Sequence, residues 1–422
     1  MTALTARPGN PIIGIADIPG DKSCSHRALI LAAMAEGDSV ITNLNEAEDV
    51  MRTLRAVEAF GATVARDGKG WRVRGAKWRT PDAPIECGNS GTTARLLIGA
   101  VAGMDGVSAT FVGDASLSAR PMRRVVAPLS RMGANIAGGD ELPLTVHGAR
   151  LGGIDFSNVP ASAQVKSAIF LAGLSGTSPI RVAEPIPSRD HSEILLGEFG
   201  CAVEGGALGE RRQLRGCEIV IGADPSAAAF ALTAAAIVPG SSVTVKDMLV
   251  NPLRTGLYEV LEEMGAGVSL ANERVVSGEI LADVTVAHGQ LRGVTVTAAQ
   301  IPAMIDEIPA LSVSAALADG ETVIHGLAEL RVKESDRLGA TLAGLIACGV
   351  TALADGDSLR IFGRGSARGG LVLSHDDHRI AMAFLTLGLA ADGPVTLDDG
   401  EMIATSFPHF VQSMQALGAD IS

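Results

Sequence analysis

The sequence AFGATV at residues 59–64 returns in altered form five more times along the 422-residue chain. Each occurrence has the end of an apolar helix, then a glycine, then an apolar strand. The others are RMGANI at 131–136, EFGCAV at 198–203, EMGAGV at 263–268, ACGVTA at 347–352 and ALGADI at 416–421. A single glycine of this kind is an ordinary helix end. Intervals of 72, 67, 65, 84 and 69 residues between the glycines instead indicate six copies of one unit.

A second landmark supports the repeat, because a turn glycine precedes a β-rich run in every unit. These glycines are Gly37, Gly106, Gly176, Gly240, Gly320 and Gly393. We interpret each unit as an apolar helix, a turn, a strand, a second and amphipathic helix, and further strands. The sequence therefore predicts an α/β (α+β) fold made of six similar units.

The position 14 residues before each turn glycine predicts the start of an apolar helix. It is occupied by Ser23, Thr92, Ser162, Ser226, Asp306 and Arg379. Helix N-termini carry unpaired N–H groups and a partial positive charge. If the fold makes them converge, they can bind anions.

Composition excludes several classes of protein. A formal charge of −13 and 3% aromatic residues leave no platform for nucleic acid. The five scattered cysteines form no CxxC pair, which argues for a reducing compartment and against disulfides or a zinc site. The N-terminal sequence offers no apolar signal region, and no apolar run approaches the roughly 18 residues that span a bilayer. We expect a cytoplasmic protein that binds neither nucleic acid nor membrane.

Charged residues near the predicted helix starts form a candidate site. Each has an ordinary explanation as a helix cap, a solvated arginine or a salt-bridged helix face. Lys333 and Arg337 are expected to be i,i+4 neighbours on one helix, and Arg120 is expected on a loop with Arg123 and Arg124. The pooled set is Lys22, Arg27, Arg120, Arg189, Lys333, Arg337 and Arg379 with Asp306 and Glu334. It suits two anionic substrates and an acid/base pair.

Motifs along essentially the whole chain resemble those of the 5-enolpyruvylshikimate-3-phosphate synthases, a family of enolpyruvyl transferases. They are, in order, PGDKSCSHRALI, GNSGTTARL, SLSARPM, SAQVKSA, PSRDHSE, LRVKESDRL, DDHRIAMAF and ATSFPHF. The resemblance implies a two-domain inside-out α/β barrel with three βαβαββ repeats per domain. It also implies one domain of residues 1–20 plus 225–422 and another of residues 21–224. The crossings should lie near Ile18 to Asp21 and Gly222 to Ser226.

The resemblance further implies transfer of the enolpyruvyl group of phosphoenolpyruvate to the 5-hydroxyl of shikimate 3-phosphate, without metal or organic cofactor. Phosphoshikimate would be bound by Lys22, Ser23, Arg27, Ser162, Ala163, Gln164, Arg189, Asp306 and Lys333. Phosphoenolpyruvate would be bound by Lys22, Gly91, Arg120, Gln164, Arg337 and Arg379. Asp306 would be the base on the attacking hydroxyl, and Glu334 the proton source for the methylene carbon, with Lys22 assisting. Glyphosate would occupy the phosphoenolpyruvate pocket.

Some positions depart from the family pattern, and two other functions stay open. Thr405 stands where many members have Lys, Leu96 stands where many have Pro, and the loop around Arg120 differs from the commoner form. The alternatives are a sister transferase that acts on a UDP-sugar, and a non-catalytic phosphometabolite sensor. The sister enzyme commonly has a Cys on the loop GDASLSARPMRR, which has none here. We expect a monomer whose two halves draw together on phosphoshikimate.

Overall fold

The computed structural model describes residues 3–68 and 70–422, which form two compact units. The terminal unit contains the described residues up to Pro19, together with Gly222–Arg274 and Ile280–Ser422. The central unit contains Gly20–Ile221 and the short segment Val275–Glu279, which the repeat pattern does not indicate. In this segment the Ser277 hydroxyl accepts a hydrogen bond from the Val220 N–H at 2.9 Å.

The strands are short, as expected for repeats that alternate helix and strand. In chain order they are β1 (Thr5–Arg7), β2 (Ile13–Ile15), β3 (Asp38–Thr42), β4 (Thr63–Asp67), β5 (Gly70–Arg74), β6 (Ile85–Glu86), β7 (Ser108–Val112), β8 (Asn135–Gly138), β9 (Leu144–His147), β10 (Ile154–Ser157), β11 (Ile180–Ala183), β12 (Val203–Glu204), β13 (Ala207–Leu208), β14 (Glu218–Val220), β15 (Ser242–Leu249), β16 (Gly267–Val276), β17 (Glu279–Ala287), β18 (Thr295–Val296), β19 (Asp319–Ile324), β20 (Thr351–Asp355), β21 (Ser358–Arg364), β22 (Gly370–Val372), β23 (Val395–Leu397) and β24 (Asp420–Ile421).

The α-helices alternate with these strands. They are α1 (Lys22–Met34), α2 (Glu48–Ala59), α3 (Gly91–Ala102), α4 (Ala115–Ser118), α5 (Arg123–Arg131), α6 (Ala163–Gly173), α7 (His191–Glu198), α8 (Pro225–Ile237), α9 (Gly256–Met264), α10 (Ile308–Ala316), α11 (Arg337–Ala347), α12 (His378–Gly388) and α13 (Phe410–Ala416). Short 3₁₀ helices lie at Ile301–Ala303, Ile305–Glu307, Ala328–Val332 and Glu401–Thr405. Within residues 3–68 and 70–422, no helix combines the length and the apolarity that a membrane crossing requires.

The described residues form six four-stranded sheets, and these sheets share one design. In the central unit the strand orders are β14-β3-β5-β4, β6-β7-β9-β8 and β10-β11-β13-β12. In the terminal unit they are β2-β15-β17-β16, β18-β19-β21-β20 and β22-β23-β1-β24. In each sheet the first two strands are parallel, and the second and third are antiparallel. Three of these sheets include one strand that is distant in sequence from the others. This strand is β14 in the sheet of β3, β2 in the sheet of β15 and β1 in the sheet of β23.

The six repeat glycines follow helices α2, α5, α7, α9, α11 and α13, as the repeat predicts. All six have φ between 77° and 114°. A side chain with a β-carbon is strained in this left-handed region, so glycine at the helix end lets the chain turn back into the next strand. The repeat therefore has a conformational cause.

The other helices of the repeat form the interior, with the sheets packed outside them. In the terminal unit α8, α10 and α12 pack on one another, and each also packs on its own sheet. All thirteen residues of α8 are buried. In the central unit α3 packs so closely on α6 that a β-carbon at Gly99 would lie 2.4 Å from the carbonyl oxygen of Ala168. This arrangement agrees with the expected inside-out α/β fold.

Candidate active site

In the central unit, the start of α1 carries several of the predicted site residues. The Asp21 side chain caps the helix by accepting from the Cys24 N–H at 2.7 Å. The Lys22 ammonium lies 2.9 Å from Asp49 Oδ2, at the first turn of α2. Ser23 follows and is half-buried. Sequence reasoning did not single out Asp49, because a charged residue in the first turn of a helix is common.

Arg27 is buried one turn further along α1. Its Nε donates to Ser192 Oγ at 2.7 Å, and its Nη2 donates to Ser167 Oγ at 2.9 Å. Its Nη1 donates to the backbone carbonyl of Ser23 at 2.9 Å. Burial lowers the pKa of the Arg27 guanidinium, and the positive charge of Arg189 acts in the same direction. The carboxylates of Asp21 and Glu193 act on this pKa in the opposite direction. Arg189 itself is half-buried.

A chain of buried hydrogen bonds joins the starts of α1 and α3. His26 Nδ1 lies 2.7 Å from Thr53 Oγ1, which lies 2.7 Å from Thr93 Oγ1. The Thr93 hydroxyl also lies 2.7 Å from the hydroxyl of Ser90, the residue that caps α3. Burial lowers the pKa of His26 well below its usual value, and Lys22 and Arg27 add to the effect, so the imidazole is neutral at pH 7.

The start of α3 presents Gly91 beside two arginines. A β-carbon at Gly91 would lie 3.3 Å from Arg95 Nη1 and 3.4 Å from Arg120 Nη1. Arg120 donates to the Asn89 side chain at 2.5 Å. The sequence predicted three arginines on one loop here; instead Arg123 and Arg124 begin α5, because Val125 and Leu129 give that segment a buried face.

Gln164, in the first turn of α6, connects that helix to α3. Its Oε1 accepts from Arg95 Nη1 at 2.6 Å, and its Nε2 donates to Thr92 Oγ1 at 3.0 Å. Ser162 is the N-cap residue of α6, and Ala163 is its first helical residue. The helix starts predicted from the repeat therefore meet in the central unit. Sequence reasoning did not identify Arg95, which holds Gln164 in place.

In the terminal unit, Asp306 is the centre of a second charged cluster. Lys333 Nζ and Arg337 Nη1 each lie 3.3 Å from Asp306 Oδ1. Arg337 Nη2 also donates to Glu334 Oε2 at 2.5 Å. The predicted acid/base pair, Asp306 and Glu334, therefore shares one guanidinium.

Asp377 holds this guanidinium from behind. Its Oδ2 accepts from Arg337 Nε at 2.9 Å, and both groups are fully buried. Burial opposes the charged form of Arg337, but Asp377, Glu334 and Asp306 together raise its pKa. Burial likewise opposes the charged form of Asp377, but Arg337 lowers its pKa below the usual value. The pair is therefore ionised at pH 7.

Arg379 lies in the first turn of α12, which Asp377 caps by accepting from the Arg379 N–H at 2.9 Å. The Arg379 guanidinium turns to the 3₁₀ helix before α10, where its Nη1 donates to the Asp306 carbonyl at 3.1 Å. The starts of α10 and α12 therefore meet in the terminal unit, which is the convergence that an anion site would require.

One local expectation in this cluster was wrong. Lys333 and Arg337 do not lie on one helix, because α11 begins only at Arg337 and Lys333 has an extended backbone. Asp336 caps the helix by accepting from the Gly339 N–H at 3.0 Å, and this cap sets the boundary. The two cations still meet, since both contact Asp306. Thr405 donates to the backbone carbonyl of Met402 at 2.7 Å.

One buried group among residues 3–68 and 70–422 has the atoms to bind a metal. Ligand atoms of Asp21, Cys24 and His191 lie within 4.8 Å of one another. His191 Nδ1 is also 2.6 Å from Glu279 Oε1. This hydrogen bond and the Asp21 cap account for the cluster, and we assign no metal to it.

The thiols elsewhere are poor nucleophiles. Burial raises the pKa of Cys87 to about 12 and that of Cys348 to about 11. Burial also raises the pKa of Cys217 to about 11. Only the thiolate attacks carbonyl or enol carbons efficiently, so these three residues do not support covalent catalysis.

Comparisons with known proteins agree along the whole chain. The model of the family described as EPSP synthase (3-phosphoshikimate 1-carboxyvinyltransferase) matches residues 6–414. A protein of Methylorubrum extorquens named 3-phosphoshikimate 1-carboxyvinyltransferase is 50% identical, over 99% of this chain and 97% of its own. A protein of the same name from Caulobacter vibrioides is 47% identical, and the match covers 100% of this chain and 99% of that protein.

Solved structures show the same likeness. EPSP synthase from Acinetobacter baumannii has a TM-score of 0.88 at 39% identity, covering 100% of this chain and 99% of that one. The enolpyruvyl transferase NikO from Streptomyces tendae has a TM-score of 0.81 at 19% identity, covering 100% and 98%. At that identity the second likeness shows the fold alone.

Proposed function

The chain belongs to the EPSP synthase (3-phosphoshikimate 1-carboxyvinyltransferase) family, and from this premise we propose how its residues divide the work of the reaction. The reaction transfers the enolpyruvyl group of phosphoenolpyruvate to the 5-hydroxyl of shikimate 3-phosphate and releases phosphate. It is a step of the shikimate pathway, which leads to the aromatic amino acids. The observation that carries the assignment of roles is the cluster of Asp306, Glu334 and Lys333 around the buried Arg337.

We propose nine contacts for shikimate 3-phosphate. They are Lys22, Ser23, Arg27, Ser162, Ala163, Gln164, Arg189, Asp306 and Lys333. The phosphate carries two negative charges near neutral pH, which suits hydroxyls and guanidinium groups at helix starts. The buried guanidinium of Arg27 supports this placement, because it supplies positive charge that the acidic chain as a whole lacks.

We propose six contacts for phosphoenolpyruvate. They are Lys22, Gly91, Arg120, Gln164, Arg337 and Arg379. Arginine suits this ligand because its planar fork pairs with carboxylate and phosphate oxygens. The hydrogen bonds that fix Arg120, Gln164 and Arg337 support the proposal, since a preorganised cation loses little side-chain entropy on binding.

Asp306 takes the proton from the 5-hydroxyl, and Glu334 donates a proton to the methylene carbon of phosphoenolpyruvate, with Lys22 assisting. Protonation makes the adjacent carbon electrophilic, the hydroxyl oxygen adds to it, and a tetrahedral intermediate forms. As phosphate leaves this intermediate, Glu334, now a carboxylate, takes a proton back from the methyl group, which restores the double bond and leaves the enol ether product. Cations around the developing charge stabilise the intermediate more than the substrates.

A comparison of acceptors tests the function. The purified protein is mixed with phosphoenolpyruvate and either shikimate 3-phosphate or UDP-N-acetylglucosamine, and released phosphate is measured. We expect turnover with phosphoshikimate alone. Turnover with the UDP-sugar would assign the sister activity, and binding of both substrates without phosphate release would indicate a sensor.

We also propose that the enzyme is a cytoplasmic monomer. All five cysteines are free, which suits a reducing compartment. Light scattering coupled to size-exclusion chromatography tests the oligomeric state, with an expected mass near the 43.1 kDa of one chain. A mass of two or more chains at micromolar concentration would contradict the monomer.

A further inference from the structure

Glu307 is a buried carboxylate next to Asp306, and the reaction as described gives it no part. Its residue exposure is 2%, and Ile305 and Ile308 flank the Asp306–Glu307 pair in sequence. Glu307 Oε1 accepts hydrogen bonds from the Ser226 hydroxyl and from Arg379 Nη1, the latter at 3.4 Å. Its Oε2 has no hydrogen-bond partner among the described residues. A buried carboxylate costs several kcal/mol unless cations compensate it.

Two arginines act on Glu307, one directly and one through Ser226. Arg379 Nη1 lies 3.4 Å from Glu307 Oε1. Arg254 Nη2 donates to Ser226 Oγ at 3.0 Å and lies 3.3 Å from Asp224 Oδ1. Arg254 is only 2% exposed, so it lies in the core of the terminal unit.

The numbers of donors and acceptors on these side chains fix the direction of each hydrogen bond. A guanidinium only donates, so Ser226 Oγ accepts from Arg254 and must give its single proton to Glu307. Glu307 in turn accepts from Arg379. The hydrogen bonds of both arginines therefore converge on Glu307, that of Arg254 through Ser226 and that of Arg379 directly.

The repeat shows what is unusual about Ser226. It occupies the position held by Ser23 and Ser162 in the first and third repeats, 14 residues before the turn glycine. Those two serines are half-buried, whereas Ser226 is 4% exposed. In the fourth repeat, the hydroxyl at the helix start therefore forms hydrogen bonds inside the core, to Glu307 and Arg254.

We propose that Glu307 is a positioning residue that orients Arg379 toward phosphoenolpyruvate, with Ser226 and Arg254 holding Glu307 in turn. The inference rests on the proposed function, in which Arg379 binds that substrate. Arg379 Nη1 is also held by the Asp306 carbonyl at 3.1 Å, so both of its contacts come from the 3₁₀ turn Ile305–Glu307. Replacing Glu307 should release one of the two and let the guanidinium swing.

The test is steady-state kinetics of Glu307→Gln, which keeps the shape of the side chain and removes its charge. We expect the KM for phosphoenolpyruvate to rise about tenfold, the KM for phosphoshikimate to stay within about twofold, and kcat to change little. Ser226→Ala should shift the same constant in the same direction by about threefold, since it removes one neutral hydrogen bond. This variant also gives the test if Glu307→Gln does not fold.

Ser314→Ala is the matched control. Ser314 is a buried serine of α10 whose hydroxyl donates to the Ala310 carbonyl at 3.2 Å. It takes no part in the hydrogen bonds that join Arg254, Ser226, Glu307 and Arg379. We expect unchanged kinetics. If the KM for phosphoenolpyruvate rose in Ser314→Ala as much as in Ser226→Ala, loss of any buried hydroxyl in this core would have the same effect. That result would overturn the inference.

A double-mutant cycle separates positioning from a structural role. In an Arg379→Lys background, Glu307→Gln should cause no further rise in the KM for phosphoenolpyruvate, because the residue through which it acts is already replaced. Fully additive effects would overturn the inference. If Arg379→Lys alone left this KM unchanged, the placement of phosphoenolpyruvate would be wrong and both ideas would fall. If Arg379→Lys raised it but Glu307→Gln and Ser226→Ala did not, only the positioning role would fall.

Discussion

Asp377→Asn tests the buried ion pair that supports the charged cluster of the terminal unit. The carboxylate accepts from Arg337 Nε at 2.9 Å, Arg337 Nη2 at 3.3 Å, Ser335 Oγ at 3.0 Å and the Arg379 N–H at 2.9 Å. Each of its oxygens accepts two of these bonds. An amide nitrogen cannot accept, so the substitution removes two hydrogen bonds and the charge that balances Arg337.

Removing one partner of a buried ion pair costs about 3–5 kcal/mol. We take the lower end, about 3 kcal/mol, because Glu334 and Asp306 still contact Arg337. For a unit of about 200 residues, this corresponds to a fall in Tm of roughly 6 to 12 °C at pH 7. Calorimetry of both proteins measures the difference.

The pH dependence identifies charge as the cause. Arg337 lowers the pKa of Asp377 in the folded protein despite burial, so this carboxyl stabilises the fold above its unfolded pKa of about 3.9. The contribution is lost as the pH falls through the lower, folded pKa. The gap in stability between the two proteins should therefore be full at pH 7 and narrow below about pH 4.

Asp376→Asn is the control, since Asp376 is the exposed neighbour and asparagine tolerates its φ of 54°. It should change the free energy of unfolding by less than about 0.5 kcal/mol. The reasoning is refuted if Asp377→Asn unfolds at the wild-type temperature. It is also refuted if the gap stays constant between pH 7 and pH 3, because the loss would then not depend on the carboxylate charge.

Two further predictions concern catalysis. Glu334→Gln should lower kcat by roughly 10² to 10⁴, the usual contribution of a general acid, with the exposed Glu263→Gln as a silent control; a kcat within threefold of wild type would remove Glu334 as the proton source. Gly91→Ala should weaken inhibition by glyphosate about tenfold, because the added methyl group would lie 3.3 Å from Arg95 Nη1 and narrow the phosphoenolpyruvate pocket. Unchanged inhibition would contradict the placement of the inhibitor there.

Much of the fold follows from short-range signals. The glycines after α2, α5, α7, α9, α11 and α13 all adopt the left-handed conformation, so their spacing marks real helix ends. The helix starts at Ser23, Ser162 and Arg379 were likewise predicted from distance to the turn glycine. Such signals are readable because capping and turning depend on a few adjacent residues.

Sequence patterns did not predict a helix boundary correctly where two nearby signals disagree. The i,i+4 spacing of Lys333 and Arg337 suggested one helix, but the Asp336 cap starts α11 between them. Sequence patterns also missed residues that support the site from elsewhere in the chain, such as Asp49 beside Lys22 and Arg95 beside Gln164. Their sequence context is that of ordinary surface charges.

The sequence by itself determined the sixfold repeat, the positions of several helix starts and, through its motifs, the family. Only the tertiary structure decided which strands complete each sheet, as when β14 pairs with β3, and which buried carboxylate pairs with a buried arginine, as Asp377 does with Arg337. The physical reason is the separation along the sequence of the residues that interact. Periodicity and capping act within one or two turns of the chain, whereas strand pairing and buried ion pairs join residues tens to hundreds of positions apart. Their energies exist only after folding has brought those residues together and excluded water.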